Sequence, residues 1–187
     1  TAGRFPLSAA ARQELAALAD TEFDVESATP EDGAAIAARM PAVQATMQQA
    51  AEQLQTGYGF AVIEGIPVDG LDETQCRRLA WGLFSCIGRI VDQKVGGSRV
   101  YDVQDKGVEL EHGVRRSITN LNQEFHTDAG WLDMPPEVIG LFCRRPAEEG
   151  GLNQLMSLRA AHDRLAEIDT AALQRLYPVS YTHLTLP

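Results

Sequence analysis

The sequence predicts a mixed α/β (α+β) fold, with helices at the front, short strands through the middle and helices again at the end. Three observations predict it. Residues 8–55 carry capped, alanine-rich amphipathic runs, and residues 57–157 carry short β-branched and aromatic runs bounded by glycine and proline. Helical patterning then resumes at Ser157. At 187 residues the chain can bury the core of one domain or slightly more.

The elements follow in order. Ser8 precedes an alanine-rich amphipathic stretch running to about Leu18, a short helix. In Thr29-Pro30-Glu31-Asp32, Thr29 suits a helix cap, Pro30 the first helical position and Asp32 the reciprocal capping carboxylate. Helical composition continues to about Gln55, with Pro41 restarting or kinking it, and Gly57 and Gly59 close the region. "YGFAVIEGIPV", Tyr58 to Val68, then reads as a buried strand. Asp72 opens a helix to about Ile87 with Gly88 as its stop. "RVYDVQD", "RSITNLN", "EVIGLFCRR" and "NQLMS" are further strand candidates. Ser157 begins a helix through Ile168, and Asp169 starts another.

Composition excludes several function classes. Hydrophobic residues make up 44% and charged residues 22%, as in ordinary globular proteins. The net charge of −10 has no basic stripe to offset it, which argues against a nucleic-acid surface. The arginine pairs (Arg77 and Arg78, Arg115 and Arg116, Arg144 and Arg145) read as solvated or locally paired groups. No apolar run is long enough to cross a bilayer, and the N-terminus lacks a basic-then-apolar signal pattern. Cys76, Cys86 and Cys143 are odd in number, lack CxxC spacing and read as small buried hydrophobes. Together these fit a reducing cytoplasm and leave the oligomeric state open.

The stretch "FHTDAGW", Phe125 to Trp131, carries the chemistry. In an extended segment residues i and i+2 share a face, so His126 and Asp128 can aim at one point. An imidazole nitrogen and a carboxylate oxygen make two thirds of a 2-His-1-carboxylate triad, which leaves open positions on Fe(II). Alone, H-x-D is a weak signal. Its surroundings strengthen it: an aromatic before HTD, the double proline Pro135–Pro136, an apolar run ending in a basic residue and proline, and Gly150–Gly151 before another strand.

In that order these features resemble the Fe(II)/2-oxoglutarate-dependent dioxygenases of the taurine dioxygenase (TauD/TfdA) and clavaminate synthase-like superfamily. "GYGFAVIEGIPVD" is similar to the family's early core strand, and the resemblance covers about residues 57–177. It implies a double-stranded β-helix, or jelly-roll, core. The chain then divides into a helical segment at 1–56, a partial jelly-roll domain at 57–178 and a tail at 179–187. Carried over residue by residue, His126 and Asp128 resemble the first two iron ligands. Asn122 and Trp131 match positions that face the substrate, although Asn122 also suits a backbone-satisfying turn and Trp131 a core. Asn153 stands where the family commonly has Thr or Ser reaching 2-oxoglutarate. An amide can donate to the same carboxylate.

The family takes its distal histidine, and the arginine that clamps 2-oxoglutarate, from later strands. Of the histidines after Asp128, His162 falls in a helical pattern and His183 lacks the expected arginine context. The tail "VSYTHLTLP" also resembles translated adapter sequence from environmental assemblies. Residues from about Val179 onward are therefore expected to be non-native, and the chain to be an incomplete enzyme, inactive alone. The activity implied is hydroxylation of a small polar molecule with O2, giving succinate and CO2. Two alternatives stay open: a noncatalytic jelly-roll binding module, and a zinc-dependent hydrolase, for which no H-E-x-x-H signature exists.

Overall fold

A computed structural model describes residues 3–92, 99–109, 111, 114, 116–129 and 132–177. The front half is built on capped helices, as the sequence predicts. Helix α1 (Ala9–Ala19) starts where the Ser8 hydroxyl accepts from the Ala11 amide at 3.1 Å. Its buried Ala11, Leu15, Leu18 and Ala19 fall on one face at helical spacing. Helix α2 (Pro30–Ala37) begins with a full capping box between Thr29 and Asp32. The Thr29 amide and hydroxyl both donate to the Asp32 carboxylate and hold its pKa below the ordinary value. Helix α3 (Pro41–Thr56) has no capping side chain of its own. Glu14 of α1 supplies one, accepting from the Ala42 and Val43 amides at 3.1 and 2.9 Å.

Strand β1 (Arg4–Pro6) pairs in parallel with β2 (Val62–Glu64), the middle of the expected Tyr58–Val68 strand. Helix α4 (Glu73–Ser85) opens with an Asp72–Gln75 capping box. Helices α5 (Leu158–Ile168) and α6 (Thr170–Leu176) form a terminal pair capped by Ser157 and Asp169.

The core gathers where α4 meets the first three helices. Trp81, Leu79 and Leu83 are fully buried against Leu15, Val43 and Met47. Close approach depends on two glycines. A Cβ on Gly82 would run into the Leu18 side chain and stand 3.0 Å from Met40 Cε. One on Gly33 would stand 2.7 Å from Ser85 Oγ. Arg78 closes the other end of α1, its guanidinium donating to the Ala19 and Phe23 carbonyls at 3.0 and 2.7 Å.

The middle of the chain differs from expectation. Among the described residues, "RVYDVQD", "RSITNLN", "EVIGLFCRR" and "NQLMS" form no strand, and Arg116–Ile118 is a single 3₁₀ turn. The jelly-roll core expected from the family is not present among them; the sheet there has two strands. The physical reason is partnership. Alternation and β-branching fit a residue to a pleated surface, but a strand persists only when its N–H and C=O groups meet a neighbour. Among the described residues the apolar side chains of this region have no sheet to pack on, and Leu141 and Leu152 stand 74% and 93% exposed.

The cysteines divide. Cys76 is buried and Cys86 partly buried, while Cys143 is exposed, against the expectation of burial for all three. Burial raises the Cys76 thiol, and burial with the nearby Glu14 charge pushes Cys86 up to about 11. Neither buried thiol is a ready nucleophile.

Gly82→Ala tests the packing directly. Overpacking costs ~1–3 kcal/mol, while replacing a helical glycine returns ~1 kcal/mol. A net loss of stability is expected in urea unfolding, relieved in the Leu18→Ala background. A Gly82→Ala protein as stable as wild type would contradict this close approach.

Candidate metal centre

The segment carrying His126 is tied to the helical core by two arginines. Arg77 of α4 bridges Glu26 at 2.8 Å and Glu73 at 3.4 Å, and also pairs with Asp102. Arg99 pairs with Asp92 at 2.7 Å, donates to the Ala28 carbonyl and lies 5.9 Å from the Trp81 ring centroid. From there the Tyr101 and Ser117 hydroxyls meet, and the Lys106 amide donates to the Ile118 carbonyl at 3.0 Å. Later in the chain Gly140 lies against the Phe84 ring, where no Cβ would fit. Residues 119–129 therefore leave from an anchored base.

His126 and Asp128 come together. The His126 Nε2 atom lies 3.2 Å from Asp128 Oδ1. Two donors ~2.1 Å from one ion and at right angles to it stand about 3 Å apart, so this spacing suits neighbouring ligands. The expected strand end is not found here: His126 and Thr127 are irregular, a turn begins at Asp128, and Ala129 has φ +57°. Among the described residues Ala129 is the one non-glycine with positive φ. For a residue with a Cβ that conformation costs ~1–2 kcal/mol.

The other ring nitrogen is engaged as well. His126 Nδ1 lies 2.8 Å from the Glu124 carbonyl oxygen. A carbonyl only accepts, so Nδ1 carries the proton in the neutral ring and Nε2 presents its lone pair. Nε2 faces a carboxylate oxygen, a contact that either a proton on that nitrogen or a metal cation between the two atoms satisfies. A backbone carbonyl on the far nitrogen is the arrangement commonly found behind metal-binding histidines. The donor set, one imidazole nitrogen and one carboxylate oxygen, fits a borderline divalent metal such as iron. The pair is open to solvent, with side chains 44% and 55% exposed.

The remaining expected residues are less tightly gathered. Asn122 and Asn153 are both exposed. Trp131 and His183 lie outside the described residues, as does the tail from Val179. His162 sits on α5, where its Nε2 meets the Tyr177 hydroxyl at 2.7 Å and its Nδ1 meets Asp163 at 3.0 Å. Among the described residues no cluster of three His, Cys, Asp or Glu side chains could hold a metal. Two features escaped the sequence reading: the Glu124 carbonyl and the left-handed Ala129. A main-chain oxygen has no residue signature, and alanine is not a residue from which positive φ is expected.

Comparison with known proteins bears on this geometry. Residues 24–186 match the model of the taurine catabolism dioxygenase TauD, TfdA family. The chain belongs to that family. A curated relative, FR-33289 synthase of Streptomyces rubellomurinus, is 30% identical over 105 residues. That stretch is 55% of this chain and 29% of the synthase, so the chain matches under a third of that relative's length. No solved structure matches. The TauD/TfdA assignment spans the HTD pair, α4 and the whole of α5 and α6. No helix among the described residues is long and apolar enough to cross a membrane.

Imidazole ¹⁵N NMR checks the local geometry. The neutral His126 ring is expected as a single tautomer with the proton on Nδ1. A neutral ring protonated on Nε2 alone would show that the Glu124 carbonyl does not hold it.

Proposed function

We propose that this TauD/TfdA-family chain contributes the His126–Asp128 half of an Fe(II) centre to a 2-oxoglutarate-dependent dioxygenase that hydroxylates a small polar molecule. The observation that carries the proposal is the 3.2 Å spacing of Nε2 and Oδ1, with Nδ1 held by Glu124, inside the family match. The proposed enzyme acts in the cytoplasm on a small molecule with O2, yields succinate and CO2, and engages neither nucleic acid nor membrane. Residues 57–178 contribute part of its jelly-roll domain, behind the helical segment at 1–56.

The roles of this chain's residues follow from their chemistry. His126 Nε2 and Asp128 Oδ1 hold the metal as neighbouring ligands. The Glu124 carbonyl fixes the imidazole so that its lone pair is available without reorganisation. The Asn153 amide donates to a carboxylate of 2-oxoglutarate. Asn122 orients polar groups of the substrate, and Trp131 walls its pocket against water. Iron, when bound with 2-oxoglutarate, supplies the oxygen-activating redox chemistry that no side chain offers. The third protein ligand and the 2-oxoglutarate-clamping arginine come from outside the described residues.

With two protein ligands exposed to solvent, the 187-residue chain is expected to bind iron weakly and to convert no 2-oxoglutarate stoichiometrically. Losing even an outer partner of a metal ligand lowers affinity ~10–100-fold, and a missing ligand lowers it further. The measurement is anaerobic Fe(II) titration followed by succinate assay, with His126→Ala, Asp128→Ala and His183→Ala alongside. Iron binding should disappear in the first two variants and survive in the third. Iron retained in both His126→Ala and Asp128→Ala would defeat the proposed centre, and a preference for zinc with hydrolysis would favour the hydrolase. Turnover lost in His183→Ala would assign His183 as the third ligand.

A further inference from the structure

We infer that the cavity between the start of α2 and the end of α4 binds a small neutral ring molecule through one hydroxyl, which pairs with the Trp81 indole and the Ser85 side chain. The cavity measures about 150 Å³ and shares no lining residue with the His126–Asp128 pair. It is therefore a second site, independent of the iron reading. Pro30 and Ala34 of α2 and Ile90 beyond α4 give it apolar walls.

Two buried polar atoms carried by its lining residues have no hydrogen-bond partner among the described residues, Trp81 Nε1 and Ser85 Oγ. Trp81 is fully buried. Phe23 packs on its ring at 6.1 Å between centroids and Arg99 lies 5.9 Å from its centroid, and neither pairs with the nitrogen. Both polar atoms face the bare side of Gly33, which also lines the cavity. The place that a Cβ on Gly33 would take is 2.7 Å from Ser85 Oγ and 3.5 Å from Trp81 Nε1. An indole nitrogen only donates, whereas a hydroxyl both donates and accepts. One ligand hydroxyl thus accepts from Nε1 and donates to Ser85 Oγ. Leaving two such groups buried and unpaired is costly, so a ligand that meets both gains by it.

Size and charge narrow the ligand further. A water serves the same two atoms but takes up only ~30 Å³, and further waters would meet side chains that offer them no hydrogen bond. A dry cavity of ~150 Å³ accommodates a molecule the size of benzene. The carbonyls at the C-terminal end of α4 disfavour an anion, and Arg89 in the lining disfavours a cation. A neutral ring with one hydroxyl satisfies all of these conditions.

The experiment is a ¹H–¹⁵N NMR titration of the full chain with phenol and with benzene, with the thermal midpoint recorded for each variant. The chain has two tryptophans, so Trp131→Phe leaves the Trp81 indole as the one signal. Phenol should shift that signal saturably and bind about 10-fold more tightly than benzene, the effect of one well-made hydrogen bond. Ser85→Ala should weaken phenol binding by about the same factor. Ala34 is exposed on α2, so Ala34→Leu fills the cavity mouth without disturbing the core, and should abolish binding at an unchanged midpoint. Equal affinity for phenol and benzene would overturn the inference, as would phenol binding undiminished in Ala34→Leu. A Trp81 indole that cross-relaxes with water and does not respond to phenol would show an ordered water only, and would overturn it too.

Discussion

The close approach of α4 to α1 and α2 is the constraint on which the rest of the structure depends. It is a steric condition at two places, Gly82 beneath Leu18 and Met40, and Gly33 beneath Ser85. Without a Cβ at either site, α4 sinks far enough to bury Trp81, Leu79 and Leu83 completely. The cost is that glycine weakens a helix interior, and buried apolar area outweighs it: a fully buried large side chain contributes ~1.5–3 kcal/mol. The depth of α4 also fixes what its outer face can hold. Arg77 reaches Glu26 and Asp102, and the ring of Trp81 backs Arg99. A shift of α4 outward would loosen the anchored base from which residues 119–129 depart.

What the sequence disclosed, and what it withheld, divides along the range of the interactions. Local chemistry was legible. Thr29 with Asp32, Asp72 with Gln75, and Ser8, Ser157 and Asp169 each cap a helix within three residues of themselves, so residue identity and spacing were enough. Helix α3 shows where this ends. It has no cap of its own, and the carboxylate that satisfies it, Glu14, comes from α1 through tertiary packing. Strand β1 is the same case: Arg-Phe-Pro carries little strand signal, and pairing with Val62–Glu64 makes it one. The expected strands at 99–105, 116–122, 137–145 and 153–157 fail in the opposite direction, with β-suited residues and no partner. For the candidate site, the two donor residues were visible in H-x-D. The Glu124 carbonyl behind His126 was not, because a main-chain oxygen has no residue signature.

The apolar side chains of the middle segment give this pattern an energetic meaning. Met134, Leu141 and Leu152 are 88%, 74% and 93% exposed. Exposed large hydrophobics are ordinary when scattered singly, but a succession along one stretch marks surface suited to burial against something else. Helix α5 repeats the theme, being amphipathic with no buried residue. The chain therefore combines a helical core that satisfies itself with a later region whose pattern asks for further sheet. Under the proposed reading that sheet is the family's jelly roll, and the metal pair sits in the region that needs it.

Under the proposed iron reading, this arrangement couples metal binding to folding in a definite order. His126 and Asp128 are separated by one residue, so joining them closes a very short loop, and the entropic cost is confined to Thr127 and the two side chains. The contact of His126 Nδ1 with the Glu124 carbonyl meets part of that cost before any ion arrives. A third donor remote in sequence closes a much larger loop, with a cost that grows only logarithmically in its length. It must also be carried on backbone that has found its own partners. The local pair can thus form early while gaining little affinity from exposed ligands, since a solvated imidazole and carboxylate exchange metal for water readily. Affinity accrues when the remote donor arrives and the surrounding sheet excludes water, so that binding free energy becomes folding free energy for the strands that deliver it. On that reading the half-site is an initiation point for assembly.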